Sequence, residues 1–276
     1  MRFLPNLNST RRNILLSTWG LFTGLALLLV TAGVYSTLVG IRAELKQLPT
    51  LVSGGITTAY YAGFLLGSWY TLRALKQVGH IRVYAALASL LSASVLITGV
   101  YDSPIVWILM RSSTGFCFAG LYVVAESWLN GLATNTFRGR LLAMYNVVTI
   151  GAYGAGQLLV FNFDARTLTG FAFAAVVSSL AVIPVVMSEQ AATPNVDNHT
   201  HITMRELAKI VPTGAGTILL VGLAHGGMLG MAVIYATREG LGVGRVGILI
   251  AAINLGGMAL TWPISSASDD LDRRII

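Results

Sequence analysis

An arginine inside an apolar helix is the first feature of this sequence able to do chemistry. The stretch "WILMRSSTGFCFAGLYVVAESWLN" carries Arg111, with Gly115 one turn later on the same face. A charge in a membrane span costs at least about 2.5–3.5 kcal/mol on insertion scales, so it faces a cavity, meets a partner or snorkels to the surface. All three remain open for Arg111 from sequence alone. Glu126 and Asn130 follow near the far end of the stretch and share a face at i, i+4. Arg138 and Arg140 come shortly after, so a Glu126–Arg structural or gating pair is expected, with a proton-carrying carboxylate as the other reading.

Further polar groups sit in apolar surroundings. Tyr145, Asn146 and Gln157 lie in "YNVVTIGAYGAGQLL", and His225 and Asn254 lie mid-span near the end of the sequence. A lone intramembrane histidine can relay protons because its unperturbed pKa is near neutral, or it can be a hydrogen-bonded structural group. His199 and His201 are isolated in a polar stretch. No His-Glu-x-x-His helix, Gly-x-Ser-x-Gly elbow or phosphate-binding Walker loop occurs. Neither an enzyme nor an ATP motor is expected, and no cofactor or metal. The single Cys117 excludes a disulfide framework.

The elements that must position these groups are long apolar helices. Of 276 residues, 55% are hydrophobic and 11% charged, with mean hydropathy +0.72; soluble domains carry about 25% charged residues. Crossing about 30 Å of hydrocarbon takes roughly 20 helical residues. Such segments are expected at roughly 14–41, 51–72, 83–101, 104–128, 141–161, 167–187, 213–236 and 243–264. The fold class is therefore all-α and integral to the membrane. The first apolar run is too long for a signal peptide core and is read as an uncleaved span.

Charge sets the orientation. With the N-terminus inside, inner loops hold twelve Lys and Arg residues, Arg82 among them, against five in outer loops, Arg42, Lys46, Arg166, Arg238 and Arg245. Positive loops stay cytoplasmic, so the N-terminus is expected there. The net charge of +7 comes from scattered clusters, which does not suit nucleic acid. Residues 188–212 read as a cytoplasmic linker ending in an amphipathic helix, "MRELAKIV", with Thr203 and Glu206 as a possible capping box. Sliding the sequence by 193 residues pairs Gly63 with Gly256 and Trp69 with Trp262, the trace of an internal repeat. The expected units are 1–187, a six-helix bundle; 188–212, the linker; and 213–276, the first two helices of a second bundle.

At the loops after both tryptophans the sequence resembles the major facilitator superfamily. That family's hallmark loop runs Gly-x-x-x-Asp-Arg-x-Gly-Arg-Arg. In "SSASDDLDRR" the aspartate falls on Asp269 and the basic pair on Arg273 and Arg274, while Ser265 and Asp272 replace the glycines. In the first copy Gly79 fits the second glycine, His80 replaces a basic residue, Arg82 lies just beyond, and Lys76 occupies the aspartate position. The Arg111-x-x-x-Gly115 pattern is similar to the family's fourth-helix motif. Glu-Ser-Trp-Leu-Asn at 126–130 resembles a poorly characterised bacterial branch.

The resemblance implies a secondary active transporter of a small solute, working by alternating access and coupled to protons. Arg111, His225, Asn254, Tyr145, Asn146 and Gln157 are the pathway candidates. Gly79, Arg82, Glu126, Asn130, Arg138, Arg140, Asp269 and Arg273 would serve the cytoplasmic gate and hallmark loops. The expected setting is the bacterial inner membrane, with the lipid bilayer and a small-molecule substrate as partners, and a monomer for the full-length protein. The ending "ISSASDDLDRRII" reads as a loop before a further helix, so the chain is expected to be the first part of a twelve-helix protein. The rival is an eight-span assembly or sensory subunit that transports nothing.

Overall fold

The computed structural model of the chain describes residues 7–132, 138–188 and 204–270. Side chains are described over a smaller set, which leaves out those of Arg138, Arg140 and Asp269; Thr203 and Arg273 lie outside the described residues altogether. The described residues are helical apart from short connections. In order they form α1 (Leu7–Leu45), α2 (Thr50–Val78), α3 (His80–Val100), α4 (Pro104–Leu132), α5 (Arg138–Leu159), α6 (Thr169–Leu180), α7 (Val182–Met187), α8 (Met204–Ile210), α9 (Pro212–Arg238) and α10 (Val243–Asp270). A short 3-10 turn, Val160–Asn162, follows α5.

Five stretches among the described residues are long and apolar enough to cross a membrane: Thr18–Leu45, His80–Val100, Pro104–Gly131, Thr169–Met187 and Pro212–Arg238. Helices α2 and α5, with 29 and 22 residues, have the length but a more mixed composition, and α10, with 28, is apolar over Gly244–Gly257. The dilution has a physical source. These helices supply Ser53, Thr57, Tyr60, Tyr61, Thr149, Tyr153, Gln157 and Asn254 to an interior cavity described below, and such positions need not be apolar.

Glycine decides how the helices meet. Along α2 and α4 the contact is backbone to backbone: a Cβ on Gly63 would strike the Ser112 carbonyl, one on Gly67 the Phe116 carbonyl, and one on Gly115 the Tyr60 carbonyl. Helices α1 and α5 meet in the same way, Gly33 against the carbonyl of Tyr153 and Gly156 against that of Val30. In lipid there is no hydrophobic drive between helices, so such close approach is what supplies packing energy. Helix α3 packs on α4 and α6, α6 returns to α1, α10 lies on α5, and α9 lies on α1. The core between them buries Tyr35, Tyr84, Trp107, Trp128 and Phe171.

Helix ends follow the breakers more closely than the hydropathy. The expected loop after the second span is helical as far as Val78 and stops at Gly79, whose φ of 82° and ψ of 168° suit glycine alone. Helix α3 begins at the next residue, so the whole connection is one glycine. Gly79→Ala has open space for the methyl, and the backbone alone should cost about 1–3 kcal/mol, read as a lower melting temperature in detergent. The expected sixth span is broken at Ala181, three residues before Pro184. Proline has no N–H to give to the Leu180 carbonyl, so the ladder cannot run through unbroken. Helix α10 continues through Ser265 to Asp270, where a loop was expected; residues 264–270 contain neither Gly nor Pro to stop it.

Two of the charges expected in outer loops, Arg42 and Lys46, make structural contacts. Arg42 is inside α1, its side chain 7% exposed, and its Nη2 pairs with Asp102 at 2.9 Å in the α3–α4 turn. Its Nη1 donates to the Gly99 carbonyl at 3.0 Å, and its guanidinium lies 5.1 Å from the Phe171 ring centroid. Lys46 joins the other Asp102 oxygen at 3.0 Å. These contacts fasten the C-terminal end of α1 to the turn that joins α3 and α4.

Candidate functional site: a tyrosine-lined cavity around Arg111

Between helices from both parts of the chain lies a cavity of about 450 Å³, within the range of small-molecule sites. Helices α1, α2, α4 and α5 line it on one side, α9 and α10 on the other. Helices α3 and α6 contribute nothing to the wall and act as outer supports. The wall is rich in tyrosine: Tyr35, Tyr60, Tyr61, Tyr122 and Tyr153 all reach it.

Arg111 supplies the one fixed charge among the described residues of this wall. Its guanidinium lies 4.7 Å from the Tyr60 ring centroid and 5.3 Å from that of Tyr35, and its Nε is buried without a hydrogen-bond partner. Of the three readings open from sequence, the side chain takes the first, facing the cavity. The glycine pattern explains how it gets there. Gly115, one turn on, lets α4 press against the α2 backbone at Tyr60, which brings Tyr60 beside Arg111. Tyr35 is held by its hydroxyl against Thr98 Oγ1 at 3.0 Å, and Tyr153 by Ser36 Oγ at 3.0 Å.

Of the other pathway candidates, Gln157, His225 and Asn254 line the cavity. Asn254 Nδ2 donates to Gln157 Oε1 at 3.3 Å and to the Ile250 carbonyl at 2.9 Å, joining α10 to α5. Tyr145 and Asn146 do not line it. Tyr145 instead donates its hydroxyl to Glu126 Oε1 at 3.0 Å, so the described partner of Glu126 is a phenol from α5; the arginine side chains expected there lie outside the described residues. Asn130 and Arg82 are exposed on helices α4 and α3. His80, next to Gly79, turns into α4, its Nε2 3.1 Å from Ser127 Oγ and its ring 5.8 Å from that of Trp128. Sequence reasoning did not single out Tyr35, Tyr60, Tyr61 or Tyr122. The adjacent pair Tyr60-Tyr61 was the available signal, since two phenols inside an apolar run need polar surroundings for their hydroxyls.

One end of the cavity is closed by contacts between α1 and α9. The Val233 side chain fills the space beside Gly40, and Val233, Ile234 and Ala236 are buried. Beyond them Arg238 meets Glu44 twice, Nε to Oε1 at 3.2 Å and Nη2 to Oε2 at 3.1 Å, and reaches Thr50 Oγ1 at 3.4 Å. Along the first half of α9, by contrast, Ile218, Leu219, Leu220 and Leu223 are exposed. Arg238 is half exposed, so solvent screens the pair and its contribution to closure is small. Glu44→Gln should therefore widen the distance distribution between spin labels at Gln47 and Glu239, with the closed population falling at most about fivefold. An unchanged distribution would assign closure to Val233 alone.

No family model matches the sequence. Similarity to known proteins nevertheless extends over most of it. A protein of Escherichia fergusonii named "Uncharacterized MFS-type transporter YcaD" is 25% identical over 260 residues, which cover 93% of this chain and 67% of that protein. Its namesake in Escherichia coli O45:K1 is 25% identical over 262 residues with the same shares, and that of Escherichia coli O6:K15:H31 is 24% identical over 258 residues. With the all-helical fold and five membrane-capable stretches, these relatives support a multi-pass membrane protein with a transporter role. They likewise support membership of the major facilitator superfamily, and transporters of that kind are not enzymes.

Proposed function

We propose that the chain is a secondary active transporter of a small solute, working by alternating access from the Arg111 cavity. The observation that carries this reading is a polar-lined space of about 450 Å³ shared between helices α1, α2, α4, α5 and helices α9, α10. A site at such a junction is exposed to one side or the other as the two groups rock. Residues 1–187 then form the first bundle, 213–276 the first two helices of a second, and 188–212 the linker. The distribution of Lys and Arg supports a cytoplasmic N-terminus in the bacterial inner membrane, and on that orientation the closed end at Glu44 and Arg238 faces outward.

Within this reading Arg111, Gln157, His225 and Asn254 contact or adjoin the solute. Tyr145 acts through Glu126 rather than on the solute, and Asn146 stands aside from the pathway. Glu126 with Tyr145 and the single His225 are the titratable groups available for proton coupling. Asp269 and Arg273, with Gly79, Arg82, Asn130, Arg138 and Arg140, belong to the inner gate. The reading is tested by reconstituting the full-length protein that carries this chain in proteoliposomes and following a panel of radiolabelled organic acids, amines and sugars under an imposed proton gradient. Accumulation of one class, abolished by a protonophore, is the expected result. If no member of the panel enters faster than into empty liposomes, the proposal is wrong.

A further inference from the structure

We propose, on the transporter reading above, that the cavity takes a small monocarboxylate with a flat apolar body, its carboxylate held by Arg111. The charge inventory of the wall comes first. Among the described lining residues there is no Asp, Glu or Lys to offset the guanidinium. None of the described ion pairs involves Arg111. Glu126 on the same helix is 15 residues away, about 22 Å along the axis, and accepts from Tyr145.

The orientation of Arg111 argues the same way. Tyr60 and Tyr35 take up the guanidinium through their ring faces. The Tyr35 hydroxyl also bonds the guanidinium, and the remaining Nη donors are those a carboxylate in the cavity would meet. A buried arginine with a donor lacking an acceptor is expensive to keep in an apolar bundle. An anionic ligand in the cavity supplies the missing counter-charge.

The body of the ligand is set by the rings beside those donors. Tyr60 and Tyr61 lie 5.3 Å apart, Tyr60 and Phe64 6.1 Å, and Phe64 and Tyr122 6.3 Å between centroids. This contiguous aromatic wall suits a planar ring. An organic cation would meet Arg111 with no carboxylate to offset it.

The test uses three probes that share one ring: benzoate, benzamide and benzylammonium, titrated calorimetrically into the purified full chain in detergent. Benzoate should bind about tenfold or more tightly than benzamide, and benzylammonium should not bind. Arg111→Gln should weaken benzoate about tenfold and leave benzamide unchanged, with Arg111→Lys retaining part of the preference. The wild-type probe series decides the matter even if the variants fold poorly. Equal binding of benzoate and benzamide, preference for the cation, or no binding of benzoate at millimolar concentration would overturn the proposal. Benzoate that binds but never enters proteoliposomes would leave this ligand class standing and remove the transporter reading; uptake of amines or sugars without benzoate binding would do the reverse.

Discussion

Gly63→Leu is expected to leave no folded protein in the membrane, and Gly63→Ala to lower stability by about 1–3 kcal/mol. The Cβ of either residue would fall on the Ser112 carbonyl, with the Ser112 Cα only 2.9 Å away. A flexible side chain could swing aside from such a collision, but a helix backbone cannot. Relief requires α2 to move off α4 along its length, and that opens the Gly67–Phe116 and Gly115–Tyr60 contacts together. The loss is therefore shared across the most extensive helix pair in the fold. Gly54→Ala is the matched control, because a Cβ there meets nothing within 4 Å, and the helix propensity gain should make it neutral or slightly stabilising. Melting followed by tryptophan fluorescence in detergent separates the two, and a Gly63→Ala protein that melts with the wild type would refute the backbone-contact account.

The second large effect lies at Asp102. Asp102→Ala should destabilise by about 2–3 kcal/mol, at or below the lower end of the range for stranding a buried charge, because the aspartate is itself 48% exposed. What remains is an Arg42 guanidinium, 7% exposed, with the Gly99 carbonyl as its hydrogen-bond acceptor and the Phe171 face beside it. The double variant Arg42→Met with Asp102→Ala removes the stranded charge and should melt above Asp102→Ala alone. A double-mutant cycle measures the difference. If the double variant is the least stable of the set, the packing of the Arg42 stem matters more than its charge.

Both sites show what could be read from the sequence and what could not. Helix positions were legible because hydropathy is a property of a continuous window, and so was an arginine in the fourth span. The break at Ala181 was signalled by Pro184, and the stop at Gly79 by the glycine. What hydropathy could not carry is pairing at a distance. Arg42 counts as an outer-loop charge on a topology tally, yet it lies inside α1 and meets Asp102. Glu44 finds Arg238 across 194 positions, and the tyrosine wall is assembled from α1, α2, α4 and α5. Each residue type there is ordinary in a membrane helix, and only the fold makes the set unusual. The Tyr145–Glu126 contact likewise joins α5 to α4 in a way no sequence window shows, while the arginine side chains expected at Glu126 lie outside the described residues.

The glycine sockets also say how this molecule can change shape. Backbone seated against backbone, as in α2 on α4 and α1 on α5, behaves as a keyed joint: neither helix can turn or slide a fraction of a step without unseating. Between α1 and α9 the close contact at Gly40 is with the Val233 side chain, and a rotamer change can release or remake that contact. Stiffness and compliance are thus written into different interfaces of the same bundle. On the alternating-access reading the first group of helices would move as one lever, turning where Val233 rests on Gly40 and where Gly247 meets the Gln157 carbonyl.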